Sequence, residues 1–355
     1  MPKIIHTGDL HLDSPFTGIS NEEGKARRAS LRDVFSKIID IANSEAVDIL
    51  ILAGDVLDAP SLRPETESSL LRDLKRAKCR VFITPGNHDP LTPTSPYLTL
   101  TFPENVHIFK EKSLTPVEIP ELNVRVFGAA YTSEAYDERI LEGFSVPNDD
   151  FANIVILHSN LYTDGYSPVS SAEIAESGAD YVALGHVHKP TDVEKAGSTY
   201  YAYCGCPESR DFGESYDTAI FIGDVEKGKV SLERRRVSDI SHKWLTIDAE
   251  ELPKLLSAPP SGLTEFLRLI VEGECENLNT DDLSKKLSEK YKEVEIIDHT
   301  VAPRNIWEGI DDEGLRGLFL RKMKLMLDNA ETDEEKRKIN LAARMGIDAI
   351  ENREM

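Results

Sequence analysis

Along the first half of the chain, apolar residues arrive in short, nearly unbroken runs: Lys3 to Thr7, Asp48 to Ala53, Arg80 to Thr84, Val124 to Phe127, Asn153 to Leu157 and Asp180 to Leu184. Runs of this length, rich in β-branched residues and lacking polar alternation, predict strands buried on both faces. Between several of them the period changes. Leu31, Val34, Phe35, Ile38 and Ala42 recur at helical spacing in a helix expected from about Lys25 to Ala46. A second helix, opening at Pro64, carries Leu70, Leu71, Leu74 and Ala77. Strands alternating with helices predict an α/β fold class.

Beyond about Ser198, strand follows strand: Tyr200 to Tyr203, Thr218 to Ile222, a Glu226-Lys227-Gly228-Lys229 turn, then Val230 to Val237. That order predicts antiparallel hairpins closing a sheet, so residues 1–240 are expected to form a two-sheet core with helices outside. Residues 241–305 read as a small α+β domain, with strand-like Lys243 to Ile247, Phe266 to Val271 and Val294 to Val301, and a helix from about Asp281 to Lys292. Residues 306–355 read as helical. Leu315, Leu318, Phe319, Met323, Met326 and Leu327 form one amphipathic stripe, and Thr332-Asp333-Glu334-Glu335 is a capping box opening the last helix.

Composition adds limits. With 355 residues, 40% of them apolar, the chain can bury a large core. Its N-terminus lacks the basic and apolar regions of a signal peptide, and no run approaches membrane-spanning length, so a cytoplasmic protein without membrane contact is expected. Cys79, Cys204, Cys206 and Cys275 make no disulfide framework and fit a reducing compartment; Cys204-Gly205-Cys206 reads as a loop with two small thiols. A net charge of -22 argues against a polyanionic ligand. Charge is screened beyond about 8 Å, however, and bound cations invert the sign of a local site, so a phosphate substrate stays open.

The polar residues that matter gather where the apolar runs end. Asp9 and His11 follow the first run, Gly54-Asp55 the second, Gly86-Asn87-His88-Asp89 the third, His158 the fifth and Gly185-His186-Val187-His188 the sixth. In an α/β sheet the C-terminal strand ends face one crevice. Taken singly, each fragment is more often a turn former than a ligand. Together they place five of the nine histidines at strand ends, whereas His6, His107, His242 and His299 are scattered and read as structural or surface residues. Oxygen and imidazole donors without thiolate suit manganese, iron or zinc, and a set of about seven or eight is what two ions with open positions require.

The order "GDLH", "GDVLD", "GNHD", "LHSN", "GHVH" resembles the calcineurin-like metallophosphoesterases. The opening "HTGDLHLDSPF" and the stretch "YCGCPESRDFGE" are similar to the SbcD-type DNA repair exonuclease branch of that superfamily, the likeness covering about residues 1–240. The resemblance implies a two-sheet metallophosphoesterase sandwich flanked by helices, a small α+β capping domain and a helical C-terminal tail. It implies that Asp9, His11 and His188 hold one divalent ion, that Asn87, His158 and His186 hold the other, and that Asp55 bridges both. A carboxylate can bridge two cations while lowering their repulsion, and Asn87 adds an oxygen without adding charge. His88 would face the substrate phosphate, with Asp89 orienting its imidazole.

The implied activity is that of a Mn-dependent DNA phosphodiesterase acting in repair on DNA ends or single strands: a 3'-5' exonuclease, a single-strand endonuclease, or both. Two metal ions, manganese with iron or zinc as alternatives, would hydrolyse the diester through a bridging hydroxide. The implied assembly is a homodimer bound, through the C-terminal helices, to an SbcC-type coiled-coil ATPase. One position departs from part of the branch: some members carry histidine three residues after the bridging aspartate, where this chain has Asp58, whose role the sequence leaves open. Arg210 reads either as a phosphate contact or as a surface ion pair with Asp211, and Arg27-Arg28 and Arg234-Arg235-Arg236 are the candidate backbone-contact clusters. Two other readings stand beside the nuclease: hydrolysis of a nucleotide or other small phosphoester, and a scaffold with a vestigial site.

Overall fold

Each of the six apolar runs forms a strand in the computed structural model, which describes residues 1–58, 62–134, 137–161, 165–303 and 305–351. In chain order the first twelve strands are β1 (Lys3–Thr7), β2 (Ile49–Ala53), β3 (Arg80–Thr84), β4 (Val106–Ile108), β5 (Thr115–Ile119), β6 (Val124–Gly128), β7 (Ala152–His158), β8 (Tyr181–Gly185), β9 (Glu194–Ala196), β10 (Thr199–Tyr203), β11 (Ile220–Glu226) and β12 (Lys229–Arg235). They make two six-stranded sheets, ordered β12-β11-β1-β2-β3-β4 and β5-β6-β7-β8-β10-β9. The middle of each sheet is parallel, and antiparallel strands complete one side of the first sheet and both edges of the second. The three strands that hydrophobic patterning did not predict, β4, β5 and β9, are all edge strands, where few positions need be apolar.

Period-2 geometry sorts each central strand between two cores. In β2, Ile49, Ile51 and Ala53 face the second sheet and pack with Ile154, Ile156, Ala183 and Ala202. Leu50 and Leu52 point the other way, onto Phe35, Ile38 and Leu70 of the helices Asn21–Ser44 and Pro64–Arg76. Beyond the second sheet, Val155, Leu157, Val182 and Leu184 pack with Ile174 of the helix Ser171–Ser177. The layers therefore run helix, sheet, sheet, helix, the α/β two-sheet sandwich expected. Strands covered on both faces have no room for alternation, which is why they read as unbroken apolar runs.

The chain divides into two compact units, Met1–Leu245 with Ser257–Leu269 and Leu283–Ile296, and Thr246–Leu256 with Ile270–Asp282 and Ile297–Met355. The later strands β13 (Ile240–Asp248), β14 (Thr264–Glu272) and β15 (Glu293–Asp298) form a three-stranded sheet in that order. In the second unit the helices Leu315–Asp328 and Asp333–Ile350 pack together, the latter capped by Thr332 and Glu335. Gly346 lets them close up: a Cβ there would lie 2.1 Å from Cζ of Phe319. The expected stripe is only partly buried. Met323 is buried with Leu320, while Leu315, Leu318 and Met326 stay exposed, because the apolar residues spread over more of the helix than one neighbour covers. Among the described residues no helix is long and apolar enough to cross a membrane.

His6 is fully buried between the sheets, with Nδ1 2.8 Å from the Tyr181 hydroxyl. Burial pulls its pKa from 6.5 down to about 3. The unfolded chain takes up a proton near pH 6.5 and the folded chain does not, so this contribution is intact above pH 6.5 and is lost as pH falls toward 3, at about 1.4 kcal/mol per unit. In chelator, a His6→Gln variant should be less stable than the parent at pH 7.5, and urea midpoints should show the gap narrowing by about 1 kcal/mol at pH 5.5. A gap that does not change with pH would contradict this reading.

Candidate metal centre

Parallel strands deliver their C-terminal ends to one edge of the sandwich. β1, β2 and β3 lead into Asp9 and His11, Asp55, and Asn87 to Asp89; β7 ends on His158, and β8 leads into His186 and His188. The backbone turns sharply at these points. Asp9, His11, Asp55 and His186 all have positive φ (48°, 45°, 46° and 93°), a region that L residues enter rarely and mostly at functional sites. Glycines make the approach possible. A Cβ on Gly54 would lie 2.2 Å from Nδ1 of His158, and one on Gly86 would lie 2.1 Å from Oδ1 of Asp55.

Two adjoining clusters result. In the first, Nε2 of His11 lies 3.1 Å from Nε2 of His188, which is 3.8 Å from Oδ1 of Asp9. In the second, Oδ1 of Asn87 lies 3.0 Å from Nε2 of His158 and 3.2 Å from Nδ1 of His186. Oδ2 of Asp55 stands between them, 3.2 Å from Nε2 of His158 and 3.8 Å from Nε2 of His11. Asp9 also joins Asp55 and His158 in a third possible ligand group, and its carboxylate accepts the His186 amide.

The hydrogen bonds behind these atoms decide what the site can hold. Nδ1 of His158 is 3.0 Å from the Ala53 carbonyl, an acceptor, so a neutral ring carries its proton there and turns the Nε2 lone pair toward Asn87 and Asp55. Nδ1 of His188 is 2.8 Å from Oε1 of Glu214, which leaves its Nε2 lone pair facing His11. Lone pairs so opposed need a cation or a proton between them. Burial depresses the His158 pKa, but Asp55 more than offsets this and raises it to about 9: with no metal ion, a proton takes the cation's place. The donor set therefore fits two divalent ions, with Asp9, His11 and His188 available to one, Asn87, His158 and His186 to the other, and Asp55 to both.

A second layer of charge holds these ligands, and it corrects one expectation. Asp89 does not orient His88. Its carboxylate accepts from the amides of Leu57 (3.0 Å) and Gly86 (2.6 Å) and from the Tyr97 hydroxyl (2.5 Å), so it clamps the ligand-bearing turn to the loop after β2. Burial, with the nearby Asp55 charge, pushes its pKa up to about 6. The His88 imidazole is held by Asp58, Oδ1 to Nδ1 2.7 Å, and this bond raises the His88 pKa. Asp58 also lies 3.5 Å from Nδ1 of His11 and accepts from Ser14. Sequence spacing could not show that the position three residues after Asp55 reaches both histidines.

Arg210 sits in the same layer. Its guanidinium is bound by Glu214 (2.8 Å to Oε1) and lies 3.7 Å from Asp58, so it pairs with these two acids instead of Asp211. Glu214 was missed at the sequence level, although it closes the "YCGCPESRDFGE" stretch; burial raises its pKa, His188 and Arg210 lower it further, and the net shift is downward. The cluster Arg234 to Arg236 is likewise occupied, whereas Arg28 donates to the Pro15 carbonyl. Arg234 pairs with Asp192, Arg235 with Glu45 and Glu233, Arg236 with Asp217, and Arg27 is buried.

A helix-flanked double sheet whose strand ends converge adjoining oxygen-and-imidazole clusters is the arrangement of a metal-dependent hydrolase with two neighbouring cation sites. Residues 2–190 match the calcineurin-like phosphoesterases, and the chain belongs to that family. It is 30% identical over 263 residues to the uncharacterized metallophosphoesterase YhaO of Bacillus subtilis, covering 70% of this chain and 63% of that protein's length. It is 28% identical over 269 residues to the SbcD component of the nuclease SbcCD of the same organism, covering 64% and 67% respectively. With the DNA double-strand break repair protein Mre11 of Saccharolobus solfataricus it shares 26% identity over 317 residues, 81% of this chain and 79% of the other.

Removing a partner behind a metal-binding histidine typically weakens metal affinity 10- to 100-fold. Calorimetric titration with Mn²⁺ should show that loss for Glu214→Ala at unchanged stoichiometry, with Glu214→Gln, which keeps an acceptor oxygen, recovering part of it. Parental affinity in Glu214→Ala would contradict the assignment.

Proposed function

We propose that the chain is a Mn-dependent DNA phosphodiesterase that cleaves DNA ends or single strands in DNA repair, as a 3'-5' exonuclease, a single-strand endonuclease, or both. The observation that carries this reading is His88, half-exposed at the rim of the two clusters with its Nδ1 held by Asp58. The names of the SbcCD and Mre11 relatives support DNA as the substrate. Divalent ions in such a site, manganese first and iron or zinc as alternatives, act as Lewis acids that hold the phosphate and lower the pKa of water to around 7.

The chain's own residues do the rest. Asp58 fixes the His88 ring and raises its pKa, favouring the protonated form, whose Nε2–H can meet a phosphate oxygen or give its proton to the leaving 3' or 5' oxygen. The backbone amide of His88 donates to Oδ1 of Asp55 at 2.9 Å, which ties the proton donor's position to that of the shared carboxylate. Asp89 holds the same turn from behind through Gly86 and Leu57.

The exposed Leu315, Leu318, Leu325 and Met326 of the penultimate helix, with Leu341 and Met345 of the last, support a partner-binding role for the C-terminal helices. We assign that surface to an SbcC-type coiled-coil ATPase, in a homodimeric assembly. Four free cysteines fit work in the cytoplasm. One observation favours a smaller substrate, a nucleotide or other small phosphoester: Arg234, Arg235 and Arg236, one of the two clusters suited to grip a DNA backbone, are each paired with an acid.

The test is hydrolysis of end-labelled single- and double-stranded oligonucleotides in Mn²⁺, Mg²⁺ and EDTA. Mn²⁺-dependent shortening is expected, reduced roughly 10²- to 10⁴-fold in His88→Ala with metal stoichiometry unchanged, the loss typical of a proton donor. Turnover of a small phosphodiester without any cleavage of DNA would move the assignment to the smaller substrate.

A further inference from the structure

Beside the metal centre lies a cavity of about 700 Å³. Asp58 and Arg210, which belong to the charge network behind His88 and His188, line one part of it. Phe16, Phe212 and Phe266 line another part, with Arg27 among them, and Glu23, Asp211, Lys292 and Glu293 bring further charge to the rim. The volume falls within the range of small-molecule sites, and the lining joins three phenylalanine rings to polar and charged side chains.

Arg27 gives the cavity a polar wall. It is only 9% exposed, and its guanidinium lies between the rings of Phe16 and Phe266, 5.2 and 5.1 Å from their centroids. It donates to the Ser209 carbonyl at 2.8 Å, yet its buried Nε finds no partner among the described residues. A buried N–H without an acceptor is destabilising unless a ligand supplies one. His242, stacked on Phe266 at 4.8 Å and edge-on to Phe212 at 5.2 Å, fixes the two aromatic rings relative to each other.

We propose that this cavity is a nucleobase pocket: it receives one unstacked base of the strand whose phosphate lies at the metal centre. The proposal rests on the DNA reading above and deepens it. Every base has a π-face to lay on a phenylalanine ring and carries ring or carbonyl acceptors for a buried N–H, so such a pocket grips single-stranded nucleic acid with little regard to sequence. It compensates for the paired arginines, since affinity drawn from stacking does not need free cations along the backbone. A duplex cannot enter without unpairing, so the pocket favours frayed ends and single strands.

The experiment uses the full chain with Mn²⁺ and a set of oligonucleotides in which a single abasic residue is moved stepwise past the scissile phosphate, with bis(p-nitrophenyl) phosphate, a diester without a base, as control. One abasic position should raise KM for the oligonucleotide roughly 5- to 150-fold, the range for loss of one stacked base. Phe212→Ala and Phe212→Leu should raise KM for the normal strand, leave turnover of the baseless diester unchanged, and remove the discrimination against that abasic position. Cleavage indifferent to every abasic position overturns the pocket and leaves the nuclease reading standing; so does a Phe212→Ala effect that simply multiplies with the abasic one. Hydrolysis of the baseless diester without cleavage of any oligonucleotide overturns both.

Discussion

Lone pairs that face each other across about 3 Å repel unless something positive lies between them, and this sandwich holds two such sets at one edge. His11 and His188 oppose ring nitrogens at 3.1 Å, and His158 opposes Asn87 at 3.0 Å, with Asp55 shared between the groups. The remaining features follow from keeping those atoms together. Parallel strands supply the ends, left-handed backbone at Asp9, His11, Asp55 and His186 aims the side chains, and Gly54 and Gly86 give the His158 imidazole and the Asp55 carboxylate room. Such strain persists only where the surroundings over-determine it. Here two sheets, each with its own core on both faces, provide the rigidity.

Electrostatics decide what sits behind the ligands. A buried imidazole keeps a chosen lone pair forward only if its other nitrogen is tied down. Ala53 does this for His158 and Glu214 for His188. Asp58 then serves two histidines at once, holding His88 outward and raising its pKa while lying beside His11. Arg210 links Asp58 to Glu214, so the acids that restrain the two sides of the site share one cation. The same economy explains why a chain of net charge -22 can present a phosphate site: acidic groups near the centre are spent on histidines and arginines, and the cations that the donor set fits would supply the missing positive charge.

Much of this was legible in the residues. Strands buried on both faces announce themselves as apolar runs, and the ligand types at their ends mark the chemistry by residue type alone. What could not be read was contact between positions distant in sequence. Asp89 stands next to His88 in the chain and looks like its orienting acid, but the tight turn sends its carboxylate inward to Gly86, Leu57 and Tyr97. Asp58 and Glu214 act across 30 and 26 residues, and no spacing rule connects them to His88 and His188. Edge strands β4, β5 and β9 escaped notice because their burial is partial, and the period of the helical stripe near the C-terminus does not say which part a neighbour covers.

The proposal that one carboxylate, Asp55, serves two cation sites is open to direct measurement. Electron paramagnetic resonance of the chain loaded with two equivalents of Mn²⁺ provides it, because ions about 3.5 to 4 Å apart through a shared ligand are magnetically coupled. A broad exchange-coupled multiline spectrum is expected, which Asp55→Asn converts to that of isolated ions. A spectrum of uncoupled manganese in the parent at full loading would overturn the shared-carboxylate arrangement.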